Sequence, residues 1–301
     1  VAGYNEKRNQ IKFSFLLIIK QYNNMKNFIL DKITDGIIKD LENGIIAWDR
    51  PFNNPEPKNY ITGKNYNGFN RLILGISPFK SSYWLTYNQA RQLGGSIKSG
   101  SKGTPIVFYK ISEYATEDSK GDLTVKTIPF IQYSTVFNFD QTNGLQSKDI
   151  INNNIKPIEE AEEIVKNYKT KPEIKEGKQP CYIPNRDIIE IPKTNSFKSE
   201  AGYYSTLFHE LAHSTGHQSR LNREELTKVA SFGSEDYSKE ELIAEFSSSF
   251  LCSKAGILKE TRKNNTAYIQ SWLKALKNDK SQLITASSKA QKVYNYILNL
   301  E

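Results

Sequence analysis

All three histidines of this 301-residue chain, His209, His213 and His217, fall within the stretch LFHELAHSTGH. Residues four apart on an α-helix lie one turn apart on the same face, so the imidazoles of His209 and His213 aim at a common point. Glu210 stands beside that point. A catalytic zinc centre needs two neutral imidazoles, an open position for water and a carboxylate to take that water's proton; the His-Glu-x-x-His spacing supplies the side chains for it. His217 falls outside the set: it lies roughly 12 Å from His209 at about 1.5 Å of rise per residue, and Gly216 is expected to end the helix before it. A third histidine ten residues after the first, which one class of zinc enzymes uses, is replaced by Ser219.

The remaining ligand must then be a carboxylate, because no other histidine exists and neither cysteine is close in sequence. Downstream, SKEELIAEFSSSFL (residues 238 to 251) places Glu241 and Glu245 four apart on one helix face, with Leu242, Phe246 and Phe250 as its apolar side. One carboxylate would bind the metal and the other would orient a histidine's free N–H. The spacing leaves the choice open, since Ser238-Lys-Glu-Glu241 also reads as a capping box that would turn Glu241 back to the helix start and leave the metal to Glu245. In thermolysin-like zincins the ligand Glu is followed four residues later by an acidic or amide residue. Glu241-Leu-Ile-Ala-Glu245 resembles that pattern, which assigns Glu241 to the metal and Glu245 to the layer behind it.

These side chains need a scaffold that composition and periodicity outline. Apolar residues make up 38% of the chain and aromatics 12%, enough for two sizeable cores. Only two cysteines occur, Cys181 and Cys252, in no Cys-x-x-Cys arrangement, so neither a disulfide framework nor a cysteine zinc site is indicated, and an intracellular, cytoplasmic setting is expected. The apolar run IKFSFLLII (residues 11 to 19) contains Lys12 and is too short for a membrane span. The chain's only methionine is Met25, and residues 1 to 24 are expected to be an extension that takes no part in the fold.

Helical spacing of Phe28, Ile29, Ile33, Ile37, Ile38 and Leu41 predicts an amphipathic helix over residues 25 to 43, stopped at Gly44. The Asn-, Pro- and Gly-rich residues 53 to 70 read as loop. A short helix is expected from Thr86, closed by Gly94 and Gly95, and strands at residues 104 to 111 and 128 to 139. After a polar connection at residues 139 to 157 the chain reads as a helix (IEEAEEIVKNYK), a strand at 187 to 192, the metal helix, the carboxylate helix, and helices near 265 to 277 and 282 to 299. Both halves are therefore α+β, with domains expected at residues 25 to 145 and 146 to 301.

Charge is concentrated in the first half. Residues 50 to 110 carry nine basic side chains and one acid, Glu56, which matches the net charge of +8 for the whole chain; the remainder holds equal numbers of cations and acids. Ten aromatics are interleaved with these cations. Cations that follow phosphates and aromatic faces that stack bases are the combination that grips single-stranded nucleic acid. Most such aromatics serve packing, and the better candidates for contact are Tyr60 and Tyr66 in the polar loop with Lys64 and Arg71, Trp84 with Lys80, and Lys98 and Lys102 around Gly100 and Gly103.

Both halves resemble the ArdC-type antirestriction proteins of mobile genetic elements. The first half does so through GIIAWDRP, TGKNYNGFN, YWLTYNQARQLGGSIKSGSKGTPIVFYK and FNFDQTNGL; the second through DIIEIP, YYSTLFHELAHSTGH, RLNRE and YSKEELIAEFSSSFLC. The resemblance implies a small α+β domain that binds single-stranded DNA, followed by a zincin-like α+β metallopeptidase domain. On this reading His209, His213 and Glu241 hold Zn2+ or another divalent ion, Glu210 is the general base, and Glu245 supports the site. The backbone edge at residues 187 to 191 would pair with an extended protein or peptide substrate, with no membrane involved. Two rival functions fit the same residues: a DNA-binding protein whose metal is structural or vestigial, and a protease whose basic half recognises an acidic protein partner.

Overall fold

The computed structural model describes residues 30–49, 56–117, 123–149, 156–227, 235–257 and 265–300. The expected extension at residues 1 to 24, and the start of the first helix at 25 to 29, lie outside them. Helix α1 (residues 30 to 42) buries Leu30, Ile37, Ile38 and Leu41, the stripe its spacing dictates. Gly44 follows with φ +72°, a left-handed conformation that ends the helix at little steric cost.

The first half continues as β1 (Lys58–Asn59), α2 (Gly68–Gly75), β2 (Tyr83–Thr86), α3 (Tyr87–Gln92), β3 (Ser96–Ile97), β4 (Thr104–Glu117), β5 (Leu123–Asn138) and β6 (Thr142–Asn143). One sheet runs β1-β2-β5-β4 and a small one pairs β3 with β6. Thr86 caps α3 with a reciprocal box: its Oγ1 accepts from Gln89 N at 3.2 Å, and Gln89 Oε1 accepts from Thr86 N at 2.8 Å. Strands β4 and β5 run beyond the sheet as a two-stranded ribbon, paired as far as Glu117 and Leu123, and so exceed the lengths that periodicity predicts. At the open edge of β4, the Asn70 side chain accepts from Val107 N at 2.8 Å and donates to Val107 O at 2.7 Å, filling the place of a neighbouring strand.

The second half contains α4 (Pro157–Asn167), β7 (Glu173–Glu176), β8 (Cys181–Ile183), β9 (Ile188–Ile191), α5 (Glu200–Ser214), α6 (Glu224–Thr227), α7 (Glu235–Ala255), α8 (Asn265–Asn278) and α9 (Gln282–Ile297). The sheet order is β7-β9-β8, with β7 parallel and β8 antiparallel to β9. Helix α7 is enclosed on all sides from Glu240 to Cys252. Its run Ser247-Ser248-Ser249 permits close approach, and each hydroxyl is satisfied by a carbonyl, of Ile243, Ser205 and Trp48 respectively.

Packing ignores the division that the sequence implies. Trp48 is fully buried against Phe246 of α7 (ring centroids 5.0 Å apart) and Trp272 of α8 (5.3 Å), and one apolar core includes α1, Phe69 and Leu72 of α2, α5, α7 and α9. The helix that carries the acidic ligand candidates is thus held in part by the N-terminal half.

Candidate metal centre and basic face

Helix α5 is started by Ser199, whose Oγ accepts from Gly202 N at 3.0 Å, and its buried side (Leu207, Phe208, Leu211, Ala212) presses it onto α7. His209 and His213 are presented to α7 and converge. Their Nε2 atoms lie 2.9 Å apart, and Glu241 Oε2 and Oε1 lie 3.4 Å from His209 Nε2 and His213 Nε2 respectively. One ligand atom from each of the three residues falls within 4.8 Å of the others. Tetrahedral coordination at about 2.0–2.1 Å places neighbouring donors about 3.3 Å apart, so the observed spacing suits one divalent cation with little rearrangement. The chemistry of the donors agrees: Glu241 Oε2 is buried without a hydrogen-bond partner, the condition of a lone pair that a cation would satisfy.

The capping-box alternative for Glu241 does not occur. Helix α7 begins at Glu235, so Ser238 is already inside it and its hydroxyl bonds to Ser271. Glu245, the expected supporting residue, brings Oε1 to 3.1 Å from His209 Nδ1. Its counterpart on the other histidine is Glu240, which accepts from His213 Nδ1–H at 3.0 Å. Both imidazoles therefore turn Nε2 to the centre and Nδ1 towards a carboxylate; His213 Nδ1 makes the hydrogen bond that fixes ring orientation at metal sites, whereas His209 Nδ1 lies beside Glu245 without one.

Glu240 is in turn gripped by Arg223, through Nε to Oε2 at 2.9 Å and Nη2 to Oε1 at 2.6 Å. The same guanidinium donates to Thr215 Oγ1 (2.5 Å) and Ala212 O (2.9 Å), tying the end of α5 to α7. Gly216 makes room for it: a Cβ there would sit 2.8 Å from Arg223 Nη2. Its backbone is not left-handed, so this close approach, rather than helix termination, is what calls for glycine. Neither Glu240 nor Arg223 was picked out from sequence; the available signals were the Glu240-Glu241 pair, whose side chains diverge by about 100° around a helix, and the RLNRE stretch.

Electrostatics follow from this crowding. Burial alone lowers the basicity of His213, but its contacts with Glu240 and Glu241 outweigh that and raise its pKa to about 10. Burial opposes ionisation of Glu241, and the two histidines overcome it, holding that carboxyl well below the usual carboxylate range. Glu240 is lowered likewise, against the cost of burial, chiefly by the Arg223 charge.

Glu210 points to the sheet. It is 3% exposed and its Oε2 accepts from Tyr182 N at 2.9 Å. Tyr182 lies on β8, and this changes the expectation for a substrate-pairing edge: residues 188 to 191 form the central strand β9, with both edges used, whereas β8 is the outer strand on the α5 side. The β8–β9 turn is fixed by Arg220, which donates to Asp187 Oδ1 and Oδ2 at 2.8 Å each. His217 stays out of the centre, half-buried and bonded to Ser219 Oγ at 2.7 Å.

In the basic half, several expected DNA contacts are corrected by burial. Arg71 is 4% exposed, paired with Glu56 at 2.8 Å, bonded to Phe250 O at 3.1 Å and sandwiched by the rings of Phe250 (4.5 Å) and Tyr294 (4.0 Å), so it bolts α2 to α7 and α9. Trp84 is 1% exposed, edge-on to Phe79. Tyr60 is 5% exposed, parallel to Phe139 at 6.1 Å and covered by Lys148 Nζ at 4.3 Å. Tyr66 is half-buried and its hydroxyl accepts from Asn59 Nδ2 at 3.3 Å. Lys64, Lys80, Lys98 and Lys102 are exposed, as are two aromatics of the same segment, Tyr87 (51%) and Phe108 (40%).

Cys181 and Cys252 are free thiols. Among the described residues no helix is long and apolar enough to cross a membrane.

Comparison with known proteins accounts for both halves. The model for the N-terminal domain of anti-restriction factor ArdC matches residues 27–137, and a zincin-like metallopeptidase model matches residues 159–289. A DNA primase TraC of Escherichia coli is 34% identical over 290 residues, and the match covers 89% of this chain but only 20% of the primase; the chain thus spans about a fifth of that relative's length. Crystal structures of the antirestriction ArdC protein from the R388 plasmid, one metal-free and one Mn(II)-bound, are 33% identical to this chain and cover 90% of it, with TM-scores of 0.71 and 0.70; the matches take in 98% and 97% of those chains. With nearly the whole of a solved ArdC protein matched at this identity, the chain belongs to the ArdC antirestriction family.

Proposed function

We propose that this protein binds single-stranded DNA through the exposed cations of its N-terminal half and hydrolyses a peptide bond at a zinc centre held by His209, His213 and Glu241. The convergence of those three side chains, each histidine backed by its own carboxylate, is the observation that carries the enzymatic part. Bound there, a divalent ion supplies a Lewis acid and lowers the pKa of water. Glu240 and Glu245 hold the two rings so that Nε2 lone pairs face inward, and Glu210, one residue from a ligand, takes the proton of the attacking water and returns it to the leaving amine. Strand β8 offers its outer edge to an extended peptide. Zinc suits two imidazoles and one carboxylate; the Mn(II) carried by the plasmid relative makes manganese the alternative occupant, and elemental analysis of the purified protein decides between them. The decisive variant is Glu210→Gln, expected to keep metal and single-strand affinity and to abolish hydrolysis; cleavage undiminished in that variant overturns the role.

One observation favours a second reading, in which the metal is structural. Glu210 is almost fully buried and already bonded to the Tyr182 amide, as a residue fastening the sheet to α5 would be. Under that reading Glu210→Gln retains antirestriction activity, while removal of charge at Lys98 and Lys102 destroys it.

A further inference from the structure

Burial removes Tyr60 and Trp84 from the aromatics expected to stack bases, and the third, Tyr66, is half-buried. We infer that Tyr87 is the base-stacking platform, and that Arg91 with the turn carrying Lys98 and Lys102 forms the phosphate track beside it. This rests on the single-strand binding proposed above and assigns its contact site.

Tyr87 is 51% exposed, yet it stands on a fixed base. It is the first residue of α3, directly after the reciprocal Thr86–Gln89 cap, and Ala90 beneath it is fully buried against Tyr60 and Leu85. An exposed ring on an immobilised backbone loses little conformational entropy when a base stacks on it. Arg91 follows one helical turn later on the same exposed side.

Strand register brings the second element alongside. Val136 of β5 pairs with Thr86 on one side and with Thr104 on the other. Thr86 and Thr104 are therefore two strand spacings apart, about 10 Å, and the chain leaves the sheet into α3 from one and enters it from the 98–103 turn at the other. Both strands run antiparallel to β5, so Tyr87 leaves toward the level of Thr135 and Lys102 arrives from the level of Asn138; the two stand about 10 Å apart across the sheet and about 10 Å along it, a separation that a few nucleotides bridge. The turn is as firmly built as the helix. Lys98 N donates to Gln141 O at 2.8 Å, Gln141 Nε2 donates to Lys102 O at 2.9 Å, and Ser101 N donates to Lys98 O at 3.1 Å. Gly103 lies so flat on β5 that a Cβ would come within 2.2 Å of Thr135. The carboxylate next to the turn, Asp140, accepts the backbone N–H groups of Lys80 (2.7 Å) and Ser81 (3.2 Å), and its carbonyl receives Lys98 Nζ at 2.6 Å. One aromatic and three cations around the junction of β2, β5 and β4, on rigid supports, match a single strand in both base and phosphate chemistry.

The test is fluorescence anisotropy of the full chain with a labelled oligothymidylate and with an abasic oligomer of equal length. Tyr87→Ala should weaken oligothymidylate binding by about 5- to 150-fold, leave abasic binding unchanged and leave metal content unchanged; Tyr87→Phe should stay within about twofold of wild type. Arg91→Ala and Lys102→Ala should each reduce the log–log salt slope by about 0.7. Wild-type binding to oligothymidylate that Tyr87→Ala leaves intact overturns the Tyr87 assignment alone. A wild-type protein without affinity for either oligomer overturns the single-strand reading, and this assignment with it.

Discussion

Replacing Glu240 by Gln tests whether the carboxylate behind His213 tunes the metal or merely packs. Glu240 is 4% exposed and Arg223 6%, and their two hydrogen bonds of 2.9 and 2.6 Å form a buried bidentate pair. Gln keeps the size and one acceptor but removes the charge that faces the guanidinium; loss of one partner from such a pair costs about 3–5 kcal/mol. The double variant Arg223→Met, Glu240→Gln removes that buried charge. Ala212 O stays satisfied by Thr215 Oγ1 at 2.7 Å, so much of the lost stability of the metal-free protein should return. His213 Nδ1 nevertheless remains without its carboxylate partner in both variants, and metal affinity should be about 10- to 100-fold weaker in each. Competition with a chromophoric chelator measures the affinity, and urea unfolding of the metal-free proteins measures the stability. If affinity recovers in the double variant in step with stability, Glu240 acts through packing alone and the reasoning fails.

Two further outcomes follow from the same geometry. His213, with its pKa raised to about 10, keeps a proton that must leave before Nε2 can bind a cation, so metal affinity should rise about tenfold per pH unit between pH 7 and 9; a flat profile in calorimetric titration would exclude His213 as a ligand. In the metal-free protein the sign reverses: a folded pKa above the unfolded 6.5 gives stability that is fully present below about pH 6.5 and lost as pH climbs through 10, which chemical denaturation across that window detects. Arg71→Met should lower stability by about 3 kcal/mol while leaving the salt slope for single-strand binding unaltered, whereas a change of about 0.7 in that slope would return Arg71 to the DNA interface.

What the sequence disclosed and what it hid separate by the range of the forces concerned. The His209–His213 pair needs only helical periodicity, and α3 only its Thr86 cap and closing glycines, so both were legible. The start of helix α2, residues 68 to 70, falls within the stretch that reads as loop, because its cap comes from afar: the Gly68 N–H donates to Gln291 Oε1 at 3.1 Å, across 223 positions, while the adjacent Asn67 side chain makes no cap.

Aromatics and cations were the least legible, because burial is decided by partners that local sequence does not reveal. Tyr60 sits in a polar, glycine-rich loop, yet Phe139, Gln146 and Lys148 cover it; Tyr87, in a patterned helix, is left open. Arg71 looked like one more cation of a basic stretch. It is the residue through which that stretch grips α7, the helix bearing Glu240, Glu241 and Glu245. A buried guanidinium spanning the two matched domains, with Trp48 packed beside the same helix, means that the carboxylate helix cannot shift without disturbing the N-terminal half. The metal centre and the basic face are therefore mechanically joined, although the sequence presents them as separate modules.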